Sequence, residues 1–277
     1  MAEYLHSIRV GAATVTAINI GDMRFRMDDW FVVPEAERPP YFAEWLPFPI
    51  QCVHIASPGL SVLIDASVYD VEPDSPHAIP GYRPPPDLLA ALAEAGVRPE
   101  AIDHVVITHI HHDHINGLTR QQDHGFTPCF PSARHHLGRA DWEQAQAALQ
   151  KPESVESHTL GVLSRAGLLE TLDRRHDLGV VEIIPAPGES PGHQIVRVHS
   201  EGQTLYCLGD LVHHPVELER PDWMVHWADA EANLRSRRAF LEAATAEEAL
   251  LVATHIAAIG RVRETPAGIN WEEVPIG

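Results

Sequence analysis

Short apolar segments recur along the chain and are separated by turn residues. SIRVGAATVTAINIG and IQCVHIASPGLSVLIDAS each contain an internal turn, at Gly11 and at Pro58–Gly59, and predict early strands paired as hairpins. PPPDLLAALAEAGV has proline near its start and glycine at its end, as a helix does. Further strand patterns alternate later with helical ones: DHVVIT, VVEIIPA, IVRVHS, QTLYCLGD and EALLVATH. Paired strands followed by alternating strands and helices indicate a layered fold of the α/β (α+β) class.

Two longer segments interrupt this pattern. Residues 22–49 are rich in proline and aromatic side chains, which is typical of an ordered excursion because flexible linkers rarely carry so many rings. Residues 139–178 carry helical patterns and predict a helical insert. No repeat or linker divides the chain, so we predict one domain over residues 1–277.

Charge and composition narrow the expected partners. Lysine and arginine total 20 against 39 acidic residues, a formal charge of −19. Such a negative field repels polyanions, so we expect neither nucleic acid nor an anionic membrane as a partner. No apolar run approaches the roughly 18 residues of a membrane helix, and the first residues lack the pattern of a secretory signal. We therefore expect a cytoplasmic protein.

The cysteines are few and widely spaced. Cys52, Cys129 and Cys207 each lie in or beside an apolar stretch. An odd number of distant cysteines predicts buried free thiols, not a disulfide framework.

The stretch VVITHIHHDHINGL, residues 105–118, places several histidines and an aspartate directly after a buried-strand pattern. Residues i and i+2 of an extended chain point the same way, so His109 and His111 can reach one point in space. Asp113 and His114 follow in the turn and can face a second point. Imidazole nitrogen and carboxylate oxygen are ligands that zinc accepts, and two points about 3.5–4 Å apart suit a two-metal site. The order H-x-H-x-D-H predicts half of such a site; the alternative is an adventitious histidine-rich turn.

Three later strand patterns also end on a residue of ligand type, namely His193, Asp210 and His255. Strand ends of layered α/β proteins converge on one rim, where loops build sites. Gly192 and Gly209 precede two of these residues and allow close backbone approach or an unusual φ. We therefore expect all seven side chains to meet at one metal centre.

The segments LIDAS, THIHHDH, PGH, GD and the final TH resemble those of the metallo-β-lactamase-fold hydrolases over nearly the whole chain. The resemblance implies a four-layer αββα sandwich with two Zn²⁺ ions at one edge. It implies this set of ligands: His109, His111 and His193 for the first ion, Asp113, His114 and His255 for the second, and Asp210 bridging both. Manganese, iron or cobalt are alternatives to zinc, since histidine and aspartate bind them all.

Small differences separate the branches of this family. His111 stands where the di-iron, oxygen-reducing relatives carry glutamate, and Asp210 where many true β-lactamases carry cysteine or a non-bridging residue. The short tail after His255 lacks the helical domain of glyoxalase II-type thioesterases. What remains resembles the branch of quorum-quenching lactonases, lactone hydrolases and organophosphate hydrolases. IAAIGRV, which follows His255, stands where that branch carries a Phe/Met–Pro-rich turn. This difference weakens the inference that the chain shares the substrate of that branch, but it does not weaken the inference of metal binding.

The resemblance implies a hydrolase in which a metal-bridging hydroxide attacks a neutral ester, above all a lactone. Asp113 would be the catalytic residue that carries the proton to the leaving group, besides binding metal. The expected substrate is a neutral, partly apolar small molecule, and homodimers are common in the branch. The alternatives are a phosphotriesterase, a mono-iron oxidoreductase like the persulfide dioxygenases, and a non-catalytic, ligand-binding member of the fold.

The residues around the metals are less constrained by the sequence. Lactonases of this kind commonly use an assisting tyrosine, and the candidates stay open: Tyr4, Tyr41, Tyr69, Tyr82 and Tyr206. The aromatic residues of positions 25–48, with Trp142 and Trp223, either wall an apolar pocket or only pack the excursion and an interface. His213 and His226 follow Asp210 and are candidates for a group on the substrate side.

Overall fold

The computed structural model of the chain describes residues 4–67, 74–79, 87–266 and 268–275. Its strands are β1 (Leu5–Val10), β2 (Ala13–Phe25), β3 (Phe31–Val32), β4 (Leu46–Ser57), β5 (Leu60–Ile64), β6 (His104–Ile107), β7 (Thr119–Gln122), β8 (Gly125–Pro128), β9 (Arg134–Gly138), β10 (Leu169–Leu172), β11 (His176–Asp177), β12 (Val181–Pro185), β13 (Gln194–Ser200), β14 (Gln203–Cys207), β15 (Met224–Val225), β16 (Leu250–Ala253), β17 (Ile256–Thr265) and β18 (Gly268–Glu273). Its helices are α1 (Met27–Trp30), α2 (Leu88–Glu94), α3 (His112–Ile115), α4 (Arg139–Leu149), α5 (Val155–His158), α6 (Leu160–Arg165), α7 (Val216–Glu219) and α8 (Ala230–Ala246). Short 3-10 helices lie at Glu35–Glu37, Pro40–Ala43, Pro99–Ala101 and Asn116–Leu118.

Within the described residues, each half of the chain builds one seven-stranded sheet. The first sheet has the order β1-β2-β4-β5-β6-β9-β10, and the second has the order β11-β12-β13-β14-β16-β17-β18. The hairpins pair in antiparallel fashion, whereas β5, β6, β9 and β10 are parallel, as are β14 and β16. Two-stranded sheets join β3 to β15 and β7 to β8.

Three apolar clusters arrange these elements in four layers. Side chains of both sheets, among them Val15, Ile55 and Val198, meet between the sheets and are fully buried. Leu92 of α2 packs on the outer face of the first sheet, and Phe240 of α8 packs on the outer face of the second. Each outer helix buries its apolar side against a sheet, which gives the order helix, sheet, sheet and helix. The predicted αββα sandwich is confirmed.

The predicted helix at PPPDLLAALAEAGV spans Leu88–Glu94, and its three prolines lie outside the described residues. Asp87 caps its amino end by accepting a hydrogen bond from the backbone N–H of Ala90 at 2.9 Å. Gly96 follows the helix with φ +77°, a left-handed conformation that suits glycine after a helix end.

The two interrupting segments contain more strand than their sequences indicate. In residues 22–49, β2 and β4 continue into the aromatic excursion, and Phe25, Phe42 and Phe48 form a separate buried cluster with Trp223. Residues 139–178 contain α4, α5 and α6 but also β10 and β11, so this insert is only partly helical. Leu169–Leu172 becomes a strand because the exposed edge of β9 offers parallel pairing. No helix in the described ranges is long and apolar enough to cross a membrane.

The three cysteines are free and buried, as predicted. Burial raises the pKa of each thiol, to about 11 for Cys129. At about pH 8 the thiols of the folded protein are therefore protonated as well as inaccessible, and only the thiolate reacts.

We expect Ellman's reagent to label the native protein slowly and to label all three thiols promptly after unfolding in denaturant. Rapid stoichiometric labelling of one native thiol would contradict this burial.

Candidate metal centre

Ends of strands from both sheets bring the predicted ligands to one edge of the sandwich. After β6 the chain runs through His109 and His111 into α3, which contains Asp113 and His114. The loop after β12 leads to His193, β14 leads to Asp210, and β16 leads to His255. Apart from His111 and Asp113, whose side chains are 40% and 28% exposed, these side chains are buried.

Asp210 lies at the centre of the cluster. Its Oδ2 atom is 3.2 Å from Nε2 of His255, 3.3 Å from Nε2 of His114 and 3.6 Å from Nε2 of His109. The Oδ2 atom of Asp113 is 3.5 Å from Nε2 of His255 and 3.7 Å from Nε2 of His114. Nε2 of His109 and Nδ1 of His111 are 2.8 Å apart.

The potential ligand atoms form two groups, and within each group all atoms lie within 4.8 Å of one another. Asp113, His114 and His255 form one group, which is the set expected for the second ion. The other consists of His109, His111 and Asp210 together with Glu189, which is not among the seven ligands predicted from the sequence.

His193 reaches the same place but belongs to neither group. Its ring centre is 5.2 Å from that of His109, and its Nε2 accepts a hydrogen bond from the backbone N–H of Asp210 at 3.2 Å. The same ring donates from Nδ1 to the carbonyl of Ala186 at 3.1 Å. Nε2 of His193, the nitrogen nearer the cluster, is thus hydrogen-bonded to the backbone in this structure.

Hydrogen bonds on the far side of the imidazoles fix which nitrogen is free. A carbonyl oxygen only accepts, so Nδ1 of His255 donates to Pro49 at 2.8 Å, and in the neutral imidazole its Nε2 keeps the lone pair. Nδ1 of His114 lies 2.8 Å from the carboxylate of Asp65 and donates to it in the same way. Outer partners of this kind orient histidine ligands in metal proteins.

Asp65 is a buried carboxylate behind the cluster. Its Oδ1 accepts the backbone N–H of Thr108 at 2.7 Å, and its Oδ2 accepts the hydroxyl of the same residue at 2.8 Å. It adopts a left-handed φ of +58° at the end of β5. Asp65 is not among the site residues predicted from the sequence, although LIDAS, a strand pattern that ends on a carboxylate, indicates such a role.

Burial and charge act against each other in this cluster. Burial lowers the pKa of His109 well below its usual value, and the neighbouring histidines lower it further. Burial also disfavours the charged form of His114, but Asp210, Asp113 and Asp65 outweigh it and hold that pKa well above the ordinary value. Burial opposes ionisation of Asp210 as well, yet His114, His255 and His109 hold the pKa of this carboxyl well below its usual range. The carboxylate therefore needs a positive group beside it.

The residues present fit a pair of metal ions. Nε2 of His114, Oδ1 of Asp210 and Oε2 of Glu189 are buried without a hydrogen-bond partner within the described residues. Imidazole Nε2 atoms face carboxylate oxygens at 3.2–3.7 Å in this cluster. A nitrogen lone pair and a carboxylate oxygen repel each other at this distance unless a proton or a cation lies between them. A mixed set of imidazole and carboxylate donors is what zinc, manganese and iron accept.

Two glycines make the close packing of the cluster feasible, as predicted. A β-carbon on Gly209, whose φ is +53°, would lie 2.9 Å from Nε2 of His193 and 2.8 Å from Thr108. A β-carbon on Gly192 would lie 2.5 Å from the backbone nitrogen of Asp141, whose carboxylate accepts the N–H of Gly192 at 2.6 Å. Any side chain at either position would push ligand-bearing segments apart.

A cavity of about 330 Å³ opens over the cluster. Its apolar wall consists of Met23, Trp30, Phe48, Ile50 and Trp227, and its polar floor includes His111, Asp113, Asp210, His213 and His255. Phe48 also stacks on the His255 ring, with 3.6 Å between ring centres.

Only part of the aromatic excursion reaches this cavity. Phe25, Phe31 and Phe42 pack behind it with Trp223, and Trp142 packs against the outer core of the first sheet.

Of the two histidines proposed to face substrate, His213 lines the cavity, whereas His226 is exposed and lies outside its lining.

The tyrosines that the structure describes serve other contacts. Tyr4 donates to Glu94, Tyr206 donates to Glu247 at 3.0 Å, and Tyr41 stacks on His214. None of the three lines the cavity. Tyr69 and Tyr82 lie outside the described residues.

Comparisons with known proteins agree with this fold. The family model of the metallo-beta-lactamase superfamily matches residues 45–255. A search of the curated proteins found no match. The solved structure of the hydrolase AbOPH of the beta lactamase superfamily aligns with a TM-score of 0.80 at 17% identity, covering 100% of this chain and 99% of that chain.

Two further structures are similar over most of their length. A probable metal-dependent hydrolase from Staphylococcus aureus aligns with a TM-score of 0.75 at 19% identity, covering 96% of this chain and 99% of that one. AidC, a dizinc quorum-quenching lactonase, aligns with a TM-score of 0.73 at 17% identity, covering 98% of this chain and 97% of that one. At these identities the likeness shows the shared fold.

The position of Asp65 leads to a prediction about metal affinity. Asp65→Asn removes the charge that orients His114, while asparagine tolerates the left-handed backbone. We expect zinc affinity to fall about 10–100-fold, as it does when outer partners of ligands are lost. Competition with a chromophoric chelator measures the change. Asp103→Asn is the control, since the Asp103 carboxylate accepts a hydrogen bond from the backbone N–H of Ser61, away from the centre. Equal zinc affinities in both variants would exclude the orienting role of Asp65.

Proposed function

Because the chain belongs to the metallo-beta-lactamase superfamily, we propose that it is a hydrolase that uses two metal ions to open neutral carboxylic esters, above all lactones. The observation that carries this proposal is the convergence of two ligand groups on Asp210 beneath an apolar cavity. Both parts are needed for the reaction, because the donors hold the cations and the cavity holds the ester.

The proposed ligand set has three parts: His109, His111 and His193 for the first ion, Asp113, His114 and His255 for the second, and Asp210 shared between them. The placement of Asp210 supports its shared role, since its Oδ2 lies within 3.6 Å of a histidine from each part. Zinc is the cation we propose, with manganese, iron or cobalt as substitutes. When bound, such cations lower the pKa of water toward neutrality and polarise a carbonyl oxygen.

Asp113 is the residue that we propose as proton carrier. Its side chain is 28% exposed and lines the cavity, whereas the side chain of Asp210 is 4% exposed. A carboxylate at the cavity surface can hold the proton of the attacking water and pass it to the departing alkoxide. His111 also lines the cavity.

The cavity favours a neutral substrate. Among the described residues that line it, none is lysine or arginine, so neither of these cationic side chains would pair with an anionic substrate there. Trp30, Phe48 and Trp227 offer apolar faces that exclude water and hold an acyl chain. The formal charge of −19 also opposes the approach of anions. A neutral phosphotriester satisfies the same requirements and is the second candidate.

Metal content and activity test the proposal together. We expect the purified protein to hold about two equivalents of metal and to hydrolyse lactones or aryl esters. His109→Ala and Asp210→Ala should each lower kcat/KM by at least about a hundredfold, since each removes a metal donor. Metal analysis and a panel of lactones, aryl esters and phosphotriesters on one preparation provide the measurement. Less than one metal per chain after loading counts against the proposal, as does oxygen consumption with retained iron or tight ligand binding without turnover.

The apolar wall gives a separate prediction about substrate binding. Trp30→Ala should raise KM for esters with long acyl chains about tenfold, corresponding to ~1.4 kcal/mol of lost apolar contact, and should change kcat less. Trp45→Ala is the matched control, because Trp45 is 39% exposed, contacts Arg24 and does not line the cavity. Steady-state kinetics with a series of acyl-chain lengths provides the comparison. An unchanged chain-length dependence in Trp30→Ala would mean that the acyl group binds elsewhere.

A further inference from the structure

We propose that Glu189 is an additional residue of the metal centre, with its carboxylate facing the first metal ion beside His109 and His111. The inference rests on the proposed two-metal function and deepens it. It assigns a role to a loop residue that lies outside the seven expected ligands.

Distances place Glu189 within the first group of donors. Its Oε1 atom is 3.5 Å from Nδ1 of His111 and 3.6 Å from Nε2 of His213. Together with His109, His111 and Asp210 it offers ligand atoms that all lie within 4.8 Å of one another. A single cation can be reached by donors in such an arrangement with small side-chain adjustments.

The carboxylate of Glu189 lacks a full set of partners inside the protein. Its side chain is 0% exposed, its Oε1 accepts a hydrogen bond from Nε1 of Trp227, and its Oε2 is buried without a partner. In the described part of the chain it forms no ion pair with lysine or arginine. A buried carboxylate is costly unless it is paired or coordinates a metal ion. The nearest ring nitrogens belong to His111 and His213, and a cation held beside His109 and His111 would supply the positive charge next to this carboxylate.

His213 contacts Glu189 but has a carboxylate of its own. Oε2 of Glu217 is 3.7 Å from Nδ1 of His213 and accepts the backbone N–H groups of His213 and His214. Glu217 in turn pairs with the fully buried Arg237, whose Nε donates to the carbonyl of Leu211 at 2.7 Å. These contacts already position His213 from the other side. His213 therefore does not depend on Glu189 as its sole acidic neighbour.

The loop that carries Glu189 is fixed at both ends. Gly188 has φ +145°, and a β-carbon there would lie 2.3 Å from the backbone of Asn233 in α8. Its carbonyl accepts the N–H of Asp229 at 2.8 Å. On the other side, the hydroxyl of Ser190 donates to Asp141 at 2.7 Å. The side chain of Glu189 is thus held toward the cluster and does not depend on a metal to draw it in.

Metal titration of the metal-free protein tests the role of Glu189. Wild type, Glu189→Gln and Glu189→Asp are titrated with zinc against a chromophoric chelator, and the melting temperature is measured with and without zinc. We expect both variants to bind one equivalent at least about tenfold more weakly and the other equivalent as in wild type. The melting temperature of metal-free Glu189→Gln should be equal to or above that of wild type, because a buried carboxylate without a lysine or arginine partner has been removed, while the gain on adding zinc becomes smaller.

A matched control and distinct outcomes separate the possibilities. Glu143→Gln removes an exposed carboxylate of α4 outside the cluster, so it controls for the change in net charge. Wild-type affinity for both equivalents in Glu189→Gln, with a lower melting temperature of its metal-free form, would overturn the inference and leave Glu189 as a structural partner of His213 and Trp227. Wild type that itself binds less than one equivalent would overturn the proposed function, a failure visible without any variant. Glu189→Asp keeps the charge but shortens the side chain, and it decides the question if Glu189→Gln does not fold.

Discussion

The buried carboxylate of Asp210 sets the physical constraint on which the centre depends. Its Oδ2 lies 3.2–3.6 Å from ring nitrogens of four histidines, and the side chain is 4% exposed. Moving a carboxylate out of water costs several kcal/mol even after the protein relaxes, so the charge persists only where a positive group shares its pocket. Nδ1 of His255 donates to the carbonyl of Pro49, so the neutral form of this imidazole faces Asp210 with a lone pair. The folded chain therefore favours a cation at this position.

The sandwich supplies the rigidity that this arrangement requires. Val15, Val198 and their neighbours fill the space between the sheets, and the strands that end at the centre are anchored in that packing. Three of the imidazoles are further held by an outer hydrogen bond, from His255 to Pro49, from His114 to Asp65 and from His193 to Ala186. Orientation by such contacts means that the donors need little rearrangement to bind metal, which preserves binding free energy. The cavity with the apolar wall of Trp30 and Phe48 lies directly over this centre.

Several features of the fold could be read from local pattern, and others could not. The hairpin at Gly11 and the strand DHVVIT are determined by alternation and by turn residues, which act over a few positions. The strand at Leu169–Leu172 was not predicted, because its pairing with β9 is a contact between distant segments and its sequence also fits a helix. IAAIGRV, which departs from the turn expected after His255, continues as β17 between β16 and β18. Its conformation depends on two neighbouring strands that its own residues do not specify.

The same division holds for the centre. The sequence by itself determined that His109, His111, Asp113 and His114 come together, because the geometry of a strand and the following turn leaves them little freedom. It also marked His193, Asp210 and His255 as strand ends of ligand type. Only the tertiary structure decided that Glu189 faces the first donors, that Asp65 holds His114, and that Trp30 and Phe48 face the cavity while Phe42 does not. These outcomes depend on how separate loops pack, and a loop residue carries no periodicity from which its direction could be calculated.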